Sequence, residues 1–315
     1  MFDSFLHQPA ASTPDPTVVK TWVTRLVFGL AIATLFLMAL GSATRVMNAG
    51  LSCPDWPLCY GEFVPRDQMN LQVFLEWFHR LIATSMGFAA IGLASLTWWY
   101  RRVLPVWTPW AAMFALFLVI VQGVLGGLTV TELLRFDIVT AHLGTGLLFF
   151  STLVAIGTAL LSHHGTGNVG KLKWVGVTAV ILVYVQSILG GLVSSQWALH
   201  QCYGTNQLCA VMNSHLAGVV PATIATLTLI VLSWRTPALH PSLRRWANLA
   251  GLCLLLQIAL GVATFRLHLQ VEPLTVAHQA VGASLLGTLL VFTVLAFRDA
   301  PVLRKAETWE ETVNF

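Results

Sequence analysis

Residues 40–61 read LGSATRVMNAGLSCPDWPLCYG, and residues 189–204 read LGGLVSSQWALHQCYG. Both stretches begin with a Leu-Gly pair, pass through a cysteine (Cys53, Cys202) and end in Tyr-Gly. The Leu-Gly pairs and the first cysteines are each 149 residues apart. Working outward, Gln122 and Leu125-Gly126 return 135 residues later as Gln257 and Leu260-Gly261. His79 returns as His215, and His142 as His278, both 136 residues on. A longer first loop accounts for the change of offset. The chain therefore contains one unit twice.

Each unit is mostly apolar. Hydrophobic residues make up 56% of the chain and charged residues 10%, with a mean hydropathy of +0.75. A soluble domain carries about 25% charged residues, so lipid has to cover part of this surface. A spanning helix needs about 20 apolar residues. Eight segments qualify: Val23–Ala43, Trp77–Trp99, Trp107–Val130, Ile138–Leu161, Val175–Ser195, Val211–Trp234, Trp246–Arg266 and Leu274–Phe297. The expected fold is an all-α membrane protein, with eight transmembrane helices arranged as two pseudo-symmetric four-helix bundles. Parallel repeats of this kind are related by an axis along the membrane normal. The expected organisation is an N-terminal tail (1–22), an N-terminal bundle (23–162), a linker (163–174), a C-terminal bundle (175–298) and a C-terminal tail (299–315). The first 18 residues hold Asp3, Asp15 and three prolines without an apolar core, which reads as a tail rather than a cleavable signal peptide.

Lys and Arg favour the cytoplasmic side of a membrane. With the N-terminus inside, twelve of them fall on that side and five on the other. Both termini are therefore expected in the cytoplasm of a cell inner (plasma) membrane protein. The two long loops, Thr44–Glu76 and Gln196–Ala210, are then periplasmic. Each holds two cysteines, Cys53 with Cys59 and Cys202 with Cys209. An oxidising compartment permits disulfides. A four-cysteine metal site is the rival, although neither loop has the short spacing usual for zinc. Cys253 falls inside a span as a packing residue. No basic run with interleaved aromatics points to nucleic acid.

Of ten histidines, four lie within spans: His79, His142, His215 and His278. All sit near the outer ends of even-numbered spans, at matched depth. Ionisable groups inside a membrane are costly and usually functional, and facing helices of a bundle build cofactor sites. Two neutral imidazoles from opposite sides of a bundle supply both axial positions of a haem iron, so the pattern predicts one haem-sized site per half. The bland alternative for any one of them is a buried histidine bonded to a carbonyl. Zinc offers no reason for so wide a pocket, and a proton relay would call for intramembrane carboxylates.

The halves differ at one position. Glu76 stands three residues before His79, on the same helix face, and Met212 takes that place before His215. A carboxylate there accepts or relays a proton, or stabilises a positive intermediate. Its structural alternative is a helix N-terminal acid held by the macrodipole. Arg45, Arg80 and Arg135 lie at the same outer margin. They are candidate partners for haem propionates or cations that snorkel to the interface.

Gly41-Ser42-Ala43-Thr44-Arg45, the run from Gly50 to Gly61, Glu76-Trp77-Phe78-His79-Arg80, the run from Gln122 to Gly127, His142 with Gly144, and the later His215 and His278 together resemble the haem A synthase family over about Thr24 to Arg298. The resemblance implies oxidation of the C8 methyl group of haem O to a formyl group, by two hydroxylations with dehydration of the diol, for terminal cytochrome oxidases. It implies a permanent haem b held by His215 and His278. It also implies a substrate haem O held by His79 and His142 with Glu76 in its site, disulfides Cys53–Cys59 and Cys202–Cys209, and association with haem O synthase. No flavin or nicotinamide motif names an electron donor. A di-haem b-type electron carrier and a transporter with a histidine-lined path are the alternatives. The unmatched Glu76 disfavours the first, and the matched histidine depth disfavours the second.

Overall fold

The computed structural model describes residues 15–163, 165–195, 206–268 and 270–299. Within them the chain forms eight helices: α1 (Pro16–Val46), α2 (Leu71–Trp99), α3 (Trp107–Thr131), α4 (Phe136–Leu160), α5 (Leu172–Ser195), α6 (Asn206–Arg235), α7 (Pro241–Arg266) and α8 (Glu272–Arg298). All eight are long and apolar enough to cross a membrane. The protein is an all-α, multi-pass membrane protein.

Hydropathy alone marks the apolar length of a span, whereas the caps set where the helix starts. α1 begins at Pro16, before the span expected from Val23. Asp15 accepts the Thr17 amide proton at 2.8 Å, and Pro16 stands at a helix-start position where no amide proton is needed. Residues 16–22, expected in the tail, are therefore helical. α2 begins at Leu71 because Asn70 Oδ1 accepts from the Val73 amide at 3.0 Å. Glu76 and His79 thus lie inside a regular helix.

The helices surround one another in two rings. α1 touches α2, α2 touches α3, α3 touches α4, and α4 returns to α1; α5 to α8 repeat the same circuit. Between the rings, α1 meets α8, α4 meets α5, and α4 meets α8. Exchanging the halves maps this set of neighbours onto itself, as a twofold relation requires. α4 and α8 form the shared wall. Their apolar windows are 61% and 67% buried, against 22–33% for the other six. Small residues allow the close approach: a Cβ at Gly287 of α8 would stand 2.9 Å from the Phe150 ring of α4. At the opposite end from the histidines, Arg298 donates to the carbonyls of Thr158 and Leu161 at 2.9 and 2.6 Å, tying the two central helices together.

Candidate functional site

His79 and His142 project from α2 and α4, and His215 and His278 from α6 and α8. In each ring these helices are diagonal and make no direct contact among the described residues. The histidines lie six to nine residues after the helix starts, or roughly 9–14 Å along the axis at 1.5 Å per residue. His79 lies within electrostatic reach of His142, and His278 within reach of His215. The structure therefore places His79 with His142 in one ring and His215 with His278 in the other, each pair on diagonal helices.

Every one of the four rings rests on a glycine of the preceding helix. A Cβ at Gly41 would come 2.8 Å from His79 Cε1, at Gly126 3.5 Å from His142, at Gly190 2.9 Å from His215, and at Gly261 3.0 Å from His278. These are the glycines of the recurring Leu-Gly pairs. In the sequence they mark the repeat; in the fold they leave room for an imidazole against a helix backbone. The glutamines one turn earlier, Gln122, Gln186 and Gln257, reach the same histidines. Gln186 was not singled out in the sequence. Its signal is the spacing Gln-x-x-x-Gly, which occurs before three of the four cradle glycines.

The Nδ1 atoms of His79, His142 and His278 are buried without a hydrogen-bond partner. An orphaned buried polar atom costs about 1–3 kcal/mol, so three of one kind at matched depth mark a site built for something other than stability. Two imidazoles per half, carried on diagonal helices with orphaned Nδ1 atoms on three of the four, have the donor set that would hold a haem. The described residues contain no cluster of three or more His, Cys, Asp or Glu suited to a metal ion bound by side chains alone.

The first outer loop lies over the N-terminal ring. Cys53 and Cys59 are joined by a disulfide and are both buried, packed with Val73 and Trp77. Tyr60 and Gly61 both have positive φ, 56° and 75°, and Cys59 and Glu62 exchange backbone hydrogen bonds at 3.1 Å. This is the turn that two left-handed residues make between antiparallel arms. Asp55 closes it, accepting from the Tyr60 and Gly61 amides at 2.6 and 2.8 Å. The Gly61 amide, followed by that of Tyr60, lowers the Asp55 pKa from its usual value. Trp56 packs on Gly127 of α3, where a Cβ would stand 3.2 Å from its ring. The Cys202–Cys209 pairing falls outside the described residues.

Glu76 is 4% exposed, and both its oxygens are engaged. One accepts from the Cys53 amide at 2.8 Å and the other from Arg80 at 2.5 Å. It stands in the second turn of α2, beyond the orphan amides at the helix start, so the macrodipole account does not describe it. Arg80 also donates to the carbonyls of Asp55 and Leu58, both at 2.6 Å, and to that of Cys53 at 3.3 Å. Its terminal nitrogens are directed to the loop. Arg45 reaches from α1 to Gln279 of α8 at 3.1 Å, beside His278. Its Nε is buried without a partner. Arg135 is exposed and pairs with Asp137 at 2.7 Å and Glu132 at 3.4 Å.

Residues 24–290 match the COX15-CtaA family, described as cytochrome oxidase assembly proteins. The chain belongs to this family. Among similar members, a protein of Shewanella oneidensis named Heme A synthase is 27% identical over 320 residues, covering 86% of this chain and 94% of the relative. Another of that name from Rhizorhabdus wittichii is 26% identical over 346 residues, covering 91% of this chain and 96% of its own. A protein of Halobacterium salinarum named Protoheme IX farnesyltransferase is 31% identical over 160 residues, covering 50% of this chain and 34% of its own. The family match runs through both rings and includes all four histidines, the two long loops and Glu76.

Proposed function

We propose that this protein is a haem A synthase that oxidises the C8 methyl group of haem O to a formyl group by successive hydroxylations with dehydration of the diol. It takes part in haem A synthesis for cytochrome oxidase assembly and handles haem. The observation that carries the division of labour is the asymmetry between two otherwise matching histidine pairs. Only the N-terminal pair has a buried carboxylate, one turn before His79; at the equivalent place before His215 stands buried Met212.

In this reading His215 and His278 hold a resident haem b, which when bound supplies electron transfer toward the other half. His79 and His142 would hold the substrate haem. Glu76 is fixed by Arg80 and the Cys53 amide, so it presents a held acceptor for a proton leaving the substrate during oxidation. The disulfide loop is anchored on the same Glu76–Arg80 pair and so holds the carboxylate in place. Arg45, with a buried and unpaired Nε, is the best placed of the three arginines for a propionate. The protein resides in the inner membrane, with both termini cytoplasmic and the cysteine loops periplasmic, as the Lys and Arg distribution supports. Haem O synthase is the expected donor of substrate. Support comes from the Halobacterium relative, in which a segment like this chain occurs within a protein named for farnesyl transfer.

The test is the pigment of the purified protein. One tightly held b-type haem and conversion of added haem O to a formyl haem are expected. His215→Ala and His278→Ala strip the resident haem. Glu76→Gln retains it and blocks conversion. Two equivalent low-spin haems with no conversion would establish the electron carrier instead.

A further inference from the structure

The four histidine cradles are closed to different degrees. One helical turn before the cradle glycines Gly190, Gly261, Gly126 and Gly41 stand Gln186, Gln257, Gln122 and Leu37. Gln186 Nε2 donates to the His215 main-chain carbonyl at 2.8 Å and lies 2.9 Å from Nδ1 of the same ring. Gln257 Nε2 lies 3.4 Å from His278 Nε2. Gln122 Nε2 donates to the His142 main-chain carbonyl at 2.8 Å, and its amide makes no hydrogen bond to the ring. Leu37 has no polar group to offer His79.

The opposite helix is shaped to the amides. A Cβ at Gly218 would overlap Gln186 Oε1, one at Gly282 would stand 3.0 Å from Gln257 Nε2, and one at Gly146 3.4 Å from Gln122 Oε1. Beyond His79, the residues at the corresponding steps are Ile82 and Ala83. Oε1 of Gln186 and of Gln257 is buried with no partner. An imidazole bound to a metal through one ring nitrogen carries a proton on the other and normally donates it to an acceptor. Gln186 and Gln257 place an amide nitrogen against each imidazole of the C-terminal pair. In the N-terminal pair no amide hydrogen-bonds either ring, and Nδ1 is buried without a partner in both, as it is in His278.

We infer that Gln122, Gln186 and Gln257 are positioning residues that grade how firmly each imidazole is held. The gradation separates a site that keeps its ligand, at His215 and His278, from one that lets it go, at His79 and His142. Two ring-contacting amides hold the first pair. One backbone-only amide and one leucine hold the second. A group that must stay and a group that must enter and leave call for this difference, because ligand loss begins with rotation of the imidazole away from the metal. The inference rests on the assignment of the resident haem to the C-terminal half.

The experiment uses purified holoprotein in detergent. Transfer of haem to excess apomyoglobin gives release rates, and electron paramagnetic resonance of the ferric haem reports imidazole orientation. Methionine replaces glutamine at nearly equal volume and helix propensity, so the bundle is retained. Gln186→Met and Gln257→Met are expected to release haem b at least tenfold faster and to shift its g-values. Gln122→Met should leave both unchanged. Leu37→Gln should slow release of haem O loaded into the N-terminal half by several-fold. Wild-type release and g-values in Gln186→Met and Gln257→Met would overturn the inference, as would an equal effect of Gln122→Met on haem b. Retention of haem b by His215→Ala is a separate outcome, which overturns the assignment of halves whatever the glutamine variants do.

Discussion

In the N-terminal ring a glutamate, an arginine and a disulfide loop crowd the outer end of the bundle around His79. In the C-terminal ring the equivalent of that glutamate is Met212, and glutamine amides touch both histidine rings instead. The backbone plan is shared: the same circuit of helices, the same depth of histidine and the same glycine beneath each ring. The difference lies in what was added to each copy. Among the described residues, one cradle has a buried carboxylate and a disulfide loop beside it, and the other has amides against both rings. In the function proposed above, a duplicated scaffold divides keeping from converting without a change of fold, since the polar additions act locally on a rigid frame.

The largest expected effect breaks the comparison at the glycines. Gly190→Val places two methyl groups where the His215 ring lies, and haem b content should fall at least tenfold. Gly41→Val should leave haem b in place and abolish occupancy of the N-terminal half by haem O. Gly123, which has nothing within 4 Å of an added Cβ, is the control. Gly123→Ala should be neutral or up to about 1 kcal/mol more stable. Pigment extraction after purification reads the two valine variants and thermal unfolding reads the control, and equal loss in the two valine variants would erase the distinction between halves.

Next in size is the carboxylate. Met212→Glu should not confer conversion on the C-terminal half in a Glu76→Gln background, because no arginine stands four residues on to hold it; residue 216 is Leu216. Activity restored by this double change would show that the carboxylate alone suffices. The effect of losing the disulfide is expected to be smaller and local. Cys53→Ser with Cys59→Ser removes a cross-link of a kind worth about 2–4 kcal/mol in general. Hydrogen exchange should rise in residues 50–66 while the helices keep their protection.

A pH effect sharpens the picture of the loop. The folded Asp55 carboxyl has a pKa below the usual value of about 3.9, because the Gly61 and Tyr60 amides bond its charged form. Its stabilisation of the turn is therefore complete above the unfolded value and disappears as pH falls through the folded one. Exchange-corrected protection of the Tyr60 and Gly61 amides should fall in that acidic window, and Asp55→Asn should flatten the dependence. The smallest effect is expected at Arg135, which is 57% exposed. Arg135→Ala should change stability by no more than about 1 kcal/mol, measured by thermal unfolding.

The sequence by itself determined the number of spans, their order, the duplication and the four histidines. Each of these rests on a local property: apolar length sets a membrane helix, and a fixed offset reveals a copy. It also singled out Glu76 by comparing one repeat with the other. Helix starts were legible only in part, because Asp15 and Asn70 carry the helices beyond the apolar stretch that hydropathy detects. Tertiary structure alone decided that α2 faces α4 and α6 faces α8 diagonally, and that the Leu-Gly glycines lie under imidazoles. It alone placed both Glu76 oxygens on Arg80 and the Cys53 amide, and put glutamines against some rings and not others. Those relations join residues on separate helices, and the spacing between helices is set by side-chain packing, which no stretch of sequence read alone contains.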